Sequence, residues 1–373
     1  MKKVMLLVID GCQPDYLTAE TAPRLFQLAK EMGFVKTVQC AMPSVTNVNH
    51  ACILSGKWPE ETKVIGNYFY EPLTQREGFI EERGYMKAQT ILQRYQELGG
   101  TTALLTVKGK VLGVYGEGVD IGISAQSPDE RWLERYGLAR PPAIDDAEAA
   151  RWIIQAAYQC IQIDDPEFVY CTTNDYVFHH AAPGTPEARE QIAILDEYMS
   201  KIAALDPTRQ IYITADHGMN QKTRLVNFQL LADQAGLHCC CLPPLKDRYV
   251  ENHLYQEGGM LYVYLNDPTQ AAAFEEFAGR SPFVEQFLTA KEAAARYHLP
   301  QEAIGDYVLL AGPTTAFAET KEACLHTEKS RTHGSLYERE IPLWAIHPEK
   351  PAEYYHGHKD IAAYLWEDAQ AVE

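Results

Sequence analysis

Four strand-length apolar runs in this chain each stop at residues able to do chemistry, and that pattern constrains the fold more than any other feature. Residues 3–9 end at Asp10-Gly11, 101–107 at Lys108-Gly109-Lys110, 167–173 at Asn174-Asp175, and Gln210–Thr214 at Ala215-Asp216-His217-Gly218. Helix-length segments lie between them: 23–33, bracketed by Pro23 and Gly33; 87–98, ended by Gly99-Gly100; 147–161; and 185–204. Such alternation predicts an α/β sandwich around a mostly parallel sheet. Ligands of these sheets collect beyond the carboxyl ends of the strands. Asp10, Lys108, Lys110, Asp175, Asp216 and His217 are therefore expected to line one shared site.

A second stretch bears on that site. Met42-Pro43-Ser44-Val45-Thr46-Asn47-Val48-Asn49-His50 reads as a polar loop turning into a short helix closed by Gly56. Thr46 falls at or just before the first turn, where unpaired N–H groups and the helix dipole favour an anion or alkoxide. Taken alone, it reads more simply as an ordinary helix-capping residue. Residues 35–38 are a short extended piece, and Gly66-Asn67-Tyr68-Phe69-Tyr70 is extended and flanked by turns.

From about residue 224 the rhythm changes. Pro243-Pro244, Gly258-Gly259, a strand over Met260–Leu265 and a helix near 268–278 come first. A capping box at Thr289-Ala290-Lys291-Glu292 and a strand over 306–310 come next. A chain of 373 residues exceeds what one core usually supports. The expected division is a catalytic core of 1–223 and 331–373 with a small inserted α+β cap of 224–330. The chain returns to the core at Arg331-Thr332-His333-Gly334, with 342–346 as a last core strand.

The net charge of −18 argues against nucleic acid and anionic membrane as partners. It also opposes an anionic substrate unless local cations reverse the field. No apolar run approaches the ~18 residues of a membrane-spanning helix. The N-terminal apolar run is cut short by Asp10-Gly11, as in a buried strand and not a signal peptide, so the cytoplasm is the expected location. Nine cysteines with no framework spacing are expected to be reduced thiols. A soft-metal site at His238–Cys241 would need a second Cys or His group at finger-like spacing, and none supports it.

Metal-type residues are well supplied elsewhere. Asp175 and His179 stand four apart and share a face if the segment is helical. Asp216-His217-Gly218 joins a carboxylate and an imidazole at a strand end, Gly334 comes directly after His333, and Asp10 closes the first strand. Carboxylates and imidazoles without thiolate suit Zn²⁺, with Mn²⁺ or Fe²⁺ as alternatives. Any one of these Asp residues is also a common turn former, and His180, His238 and His253 read as ordinary surface or core residues. The joint pattern is what carries the metal reading.

At these residues the chain resembles the alkaline phosphatase superfamily in its nucleotide pyrophosphatase/phosphodiesterase branch, and within it the phosphonoacetate hydrolases. The matching pieces are Val8-Ile9-Asp10-Gly11, the Thr46 stretch, Gly66-Asn67-Tyr68-Phe69, Lys108-Gly109-Lys110, Asp175–His179, Ala215–Met219 and Arg331–Gly334, with Gly258-Gly259, 291–294 and 304–306 in the cap. The resemblance implies an alkaline-phosphatase-like three-layer sandwich and a di-zinc hydrolase. One zinc would be held by Asp175, His179 and His333. The other would be held by Asp10, Asp216 and His217, with Thr46 Oγ1 completing its shell.

Thr46 would be the nucleophile of a phospho-threonine mechanism cleaving the C–P bond of phosphonoacetate. Asn67 and the backbone N–H of residue 46 or 47 would bind a phosphoryl oxygen. Lys108 and Lys110 would meet the substrate's carboxylate and phosphonate; read by themselves they are also consistent with a solvated loop pair. The partner implied is a small anionic phosphonate or phosphate ester, and assembly as a homodimer is an expectation. A nucleotide phosphodiesterase or pyrophosphatase with the same metals is the nearest rival, with Tyr68 and Phe69 as a slot for the base. A phosphonate-binding protein that kept only the fold is a third reading.

Overall fold

A computed structural model describes residues 1–246, 248–250 and 252–370. Its centre is a seven-stranded sheet in the order Gly33–Gln39, Glu340–Ile346, Gln210–Thr214, Val4–Val8, Phe168–Thr172, Thr102–Thr106, Ile121–Ser124. Every neighbouring pair is parallel except those made by Glu340–Ile346, which runs antiparallel to both its partners. Val4–Val8, Phe168–Thr172, Thr102–Thr106 and Gln210–Thr214 are buried along their whole length. Both faces of the sheet are covered, which is why these strands read as continuous apolar runs instead of alternating ones.

Helices Thr46–Ser55, Ile91–Glu97, Gly109–Tyr115 and Asp360–Gln370 form one layer, and Pro23–Met32, Glu148–Ile163 and Pro186–Leu205 the other. The result is the expected three-layer α/β sandwich. Register then does the important work. Val8 pairs with both Thr172 and Thr214, and Thr172 pairs with Thr106, so the four carboxyl ends finish flush. The loops leaving these strands all emerge at one edge of the sheet.

Several elements differ from the sequence reading. The first helix ends at Met32 and passes directly into a strand at Gly33, so the extended piece expected at 35–38 is a full edge strand of seven residues. A Cβ at Gly33 would lie 2.1 Å from the Ala345 carbonyl oxygen, so only glycine fits there. The helix expected over 87–98 begins at Ile91, behind a Thr90–Gln93 capping box. Strand Ile121–Ser124 and helix Glu130–Tyr136 were not anticipated. Their short runs lack a long periodic signal.

Beyond the core lie an antiparallel sheet of Cys239–Leu242, Met260–Leu265, Tyr307–Leu310 and Gln286–Thr289, and a second sheet of Thr315–Phe317, Asn220–Val226 and Cys324–Thr332. Asn220 pairs with Thr332 and Arg224 with His326. The limits drawn at 224 and 330 therefore fall inside one antiparallel ribbon. All nine cysteines are free thiols. Cys239 and Cys241 bring their sulfurs to 3.8 Å, but no third ligand-type group joins them among the described residues. No helix among the described residues is long and apolar enough to cross a membrane.

Candidate metal centre

Thr46 opens helix Thr46–Ser55, which is buried throughout and ends on Gly56 in the left-handed conformation. The approach to it is pinned by one side chain. Asn49 Oδ1 accepts from the Ala41 N–H and from His358 Nε2, both at 2.8 Å, while its Nδ2 donates to the carbonyls of Pro43 and Val45. Such a buried, fully used amide holds the loop in one shape. Thr46 Oγ1 is thereby placed 3.3 Å from His217 Nε2.

Three imidazoles converge here, each oriented by a backbone carbonyl. His179 Nδ1 donates to Arg331 O at 2.6 Å, His217 Nδ1 to Gly218 O at 2.9 Å, and His333 Nδ1 to Ser44 O at 2.7 Å. A carbonyl oxygen only accepts, so the proton sits on Nδ1 and the Nε2 lone pair faces the site. This is the arrangement that metal-ligating histidines use. The rings of His217 and His333 stack at 3.5 Å.

The carboxylates complete the cluster. Asp175 caps the short helix Tyr176–His180, and its Oδ2 meets His179 Nε2 at 3.2 Å, so the four-residue spacing does place both on one face. Asp216 Oδ1 accepts from the Gly11 and His217 N–H groups, leaving Oδ2 3.3 Å from His217 Nε2. Asp10 Oδ1 lies 3.5 Å from the same nitrogen. All six ligand candidates, and Thr46, are at most 4% exposed. Asp216 Oδ2 and His333 Nε2 are buried with no hydrogen-bond partner, as lone pairs awaiting a cation would be. The residues present thus fit a metal.

Electrostatics agrees. Burial, reinforced by Asp175 and Asp216, pushes Asp10 up to about 8. Burial likewise lifts Asp216 to about 6. At Asp175 burial works in the same direction, but Lys108 and His179 more than offset it and hold the carboxyl well below its usual range. Burial drives His333 well below its ordinary value, with its imidazole neighbours adding to the effect. Without a metal the cluster cannot carry all its negative charge.

Lys108 and Lys110 are both buried. Lys108 Nζ lies 2.9 Å from Asp10 Oδ2, within the ligand cluster itself, and Lys110 Nζ lies 5.1 Å from the centre of the Tyr249 ring. Neither belongs to a solvated loop pair. Asn67 Oδ1 accepts from the Asn47 N–H at 3.1 Å, which fixes its amide orientation and leaves Nδ2 buried without a partner. That bond occupies the residue-47 N–H expected to bind phosphoryl oxygen, so the Thr46 N–H is the remaining backbone candidate. A cavity of about 210 Å³ opens beside Lys108, Tyr249 and Asn252.

Sequence reasoning missed what Asn252 and His253 bring. Asn252 Nδ2 donates to Asp175 Oδ1 at 3.0 Å. His253, read as an ordinary residue, is buried among the ligands: Asp175, His179, His253 and His333 offer ligand atoms all within 4.8 Å of one another. No local motif marks it, because its neighbours in sequence carry no metal-type spacing. His180 and His238 are exposed, as expected.

The chain is similar to known proteins of one family. The family model for type I phosphodiesterase / nucleotide pyrophosphatase matches residues 4–336. The human ectonucleotide pyrophosphatase/phosphodiesterase family member 5 is 22% identical over 247 residues, covering 62% of this chain and 48% of that one. The chain spans about half or less of the length of the curated relatives it matches. Phosphonoacetate hydrolase from Sinorhizobium meliloti, solved with phosphonoacetate, superposes with a TM-score of 0.86 at 27% identity, covering 99% of this chain and 96% of that one. Murine ectonucleotide pyrophosphatase/phosphodiesterase 5 with AMP shares the fold, with a TM-score of 0.70 at 15% identity over 99% and 95% of the two chains.

Proposed function

Because the chain belongs to the type I phosphodiesterase / nucleotide pyrophosphatase family, we propose that it is a di-zinc hydrolase cleaving phosphonoacetate to acetate and phosphate. The observation that carries this reading is a buried Lys108 set against an Asp/His cluster that also touches the Thr46 hydroxyl, with Lys110 buried nearby over the Tyr249 ring. Asp175, His179 and His333 would hold one zinc; Asp10, Asp216 and His217, with Thr46, the other. Bound there, zinc supplies Lewis-acid charge that acidifies a hydroxyl and neutralises phosphonyl oxygens.

Thr46 Oγ1, its proton given up to solvent, attacks phosphorus in line. The C–P bond breaks with its electron pair on carbon, which takes a proton from solvent and leaves as acetate. The carboxylate on that carbon spreads the developing charge as an enolate-like dianion, and the ammonium groups of Lys108 and Lys110 stabilise it. Asn67 Nδ2 and the Thr46 N–H hold a phosphoryl oxygen. Water then hydrolyses phospho-Thr46, releasing phosphate. The lysines also answer the charge objection, making a local positive pocket on an acidic protein.

Cavity size supports a small substrate. The space beside Lys108, about 210 Å³, falls below the ~300 Å³ at which drug-sized ligand pockets begin. Tyr68 and Phe69 pack against Phe79 and Tyr85, and Phe69, Phe79 and Tyr85 line a separate cavity of about 830 Å³ whose walls include none of the Asp/His cluster. The cap, about 224–330, reaches the site through Tyr249, Asn252 and His253, and the free thiols suit the cytoplasm.

The deciding experiment gives zinc-loaded protein phosphonoacetate, an aryl phosphate and a nucleotide diester, with acetate and phosphate as readouts. Lys110→Ala should abolish phosphonoacetate turnover while sparing the aryl phosphate. Turnover of the nucleotide diester alone would overturn the proposal in favour of the phosphodiesterase reading.

A further inference from the structure

The cap brings to the metal centre one imidazole that neither set of zinc ligands uses. His253 is 1% exposed, and its ring lies 4.6 Å from that of His179, nearly perpendicular at 89°, and 5.4 Å from that of His333. Its backbone is held in a turn, with its N–H donating to Tyr249 O and its carbonyl accepting from Gln256 N. The preceding residue, Asn252, donates to Asp175 Oδ1, so the same turn is tied to the same ligand group twice.

Zinc in a catalytic site takes three protein ligands and keeps a fourth position open. Asp175, His179 and His333 make three. Resting on the di-zinc reading, we propose that His253 is a fourth, cap-borne ligand that closes this position in the substrate-free protein and yields it to the substrate. The ligand atoms of all four residues already lie within 4.8 Å of one another, so side-chain shifts of about 1 Å bring them to the ~3.4 Å separations of a tetrahedral zinc. One carboxylate and three neutral imidazoles leave a divalent ion with a net positive charge. In a buried site an anionic phosphonyl oxygen is the stronger ligand, so it displaces a neutral imidazole. Metal binding then staples the cap to the core, and substrate releases the staple.

Chelator competition on wild type, His253→Ala and His253→Gln tests this, with zinc as the probe. Both variants should still bind two zinc ions, one of them ~10–100-fold more weakly than wild type. Inorganic phosphate should bind both variants more tightly, since no imidazole competes. Equal zinc and phosphate affinities across all three proteins would overturn the proposal. Should neither variant fold, cobalt-substituted wild type decides. Four hyperfine-shifted imidazole N–H signals, from His179, His217, His253 and His333, support the fourth ligand, whereas three overturn it. A wild type that binds no zinc, or a His179→Ala variant that binds it undiminished, would instead sink the di-zinc reading itself.

Discussion

Lys108 donates from Nζ to Asp175 Oδ1 at 2.6 Å, with both side chains buried. The same ammonium reaches Asp10, so in the metal-free protein a lysine bridges carboxylates assigned to two different metals. It supplies positive charge where the ions would. Lys108→Met should therefore cost the metal-free protein ~3–5 kcal/mol, the usual penalty for stranding a buried charge. Zinc should restore most of it. Urea unfolding with and without zinc measures both numbers; a variant equally stable in either condition would count against the bridge.

The pH dependence of the chelated protein arises from the same cluster. Asp10, raised to about 8 in the fold, stays protonated where the unfolded chain has lost that proton. Its contribution is fully present below about 4 and disappears as pH climbs to about 8. Burial works downward on His179, but Asp175 outweighs it and raises the imidazole, so its contribution too is lost with rising pH. His217 and His333 are shifted down and act only below their ordinary value near ~6.5. Between about pH 6.5 and about 8 the metal-free protein should thus lose stability as pH rises. Asp10→Asn should flatten that slope in thermal melts, and zinc affinity should strengthen over the same interval as the Asp10 proton becomes easier to displace.

Removing the nucleophile separates chemistry from structure. Thr46→Ala should lower turnover on the order of 10³-fold or more. Metal content should persist, because the other ligands remain. Elemental analysis beside a phosphate-release assay reads both, and retained turnover would discard Thr46 as nucleophile.

Asn67 offers a finer test. Its Oδ1 receives the Asn47 N–H while Nδ2 is left for substrate. Asn67→Asp keeps the acceptor and replaces the donor by an oxygen. The new carboxylate, buried with a single donor, should lower the stability of the metal-free protein, and kcat should fall at least ~10²–10³-fold, as for the loss of one oxyanion donor. A change in KM alone would mean that the amide binds ground state and transition state equally.

Much was legible in the chain alone. Apolar runs ending at Asp10, Lys108, Asp175 and Asp216 are local patterns, and a parallel sheet turns such patterns into a common edge. Thr46 before a helix closed by Gly56, and Asp175 with His179 one turn apart, are likewise written in residues that are near neighbours. These features depend on backbone preference and periodicity, which only a few adjacent side chains set.

Other features belong to the tertiary structure alone. Nothing near His253 in sequence announces that it meets His179 and His333, each far from it along the chain and on opposite sides. Nor does anything local say that Lys108 bridges Asp10 and Asp175, or that Asn49, through His358, pins the loop before Thr46. Sheet order, cap docking and the burial that moves the Asp10 proton arise when distant segments exclude water together. Contact energies between such segments depend on shape after folding, and a linear chain does not display them. Sequence determined the scaffold and the kinds of ligand it carries; packing decided which of them meet, and in what charge state.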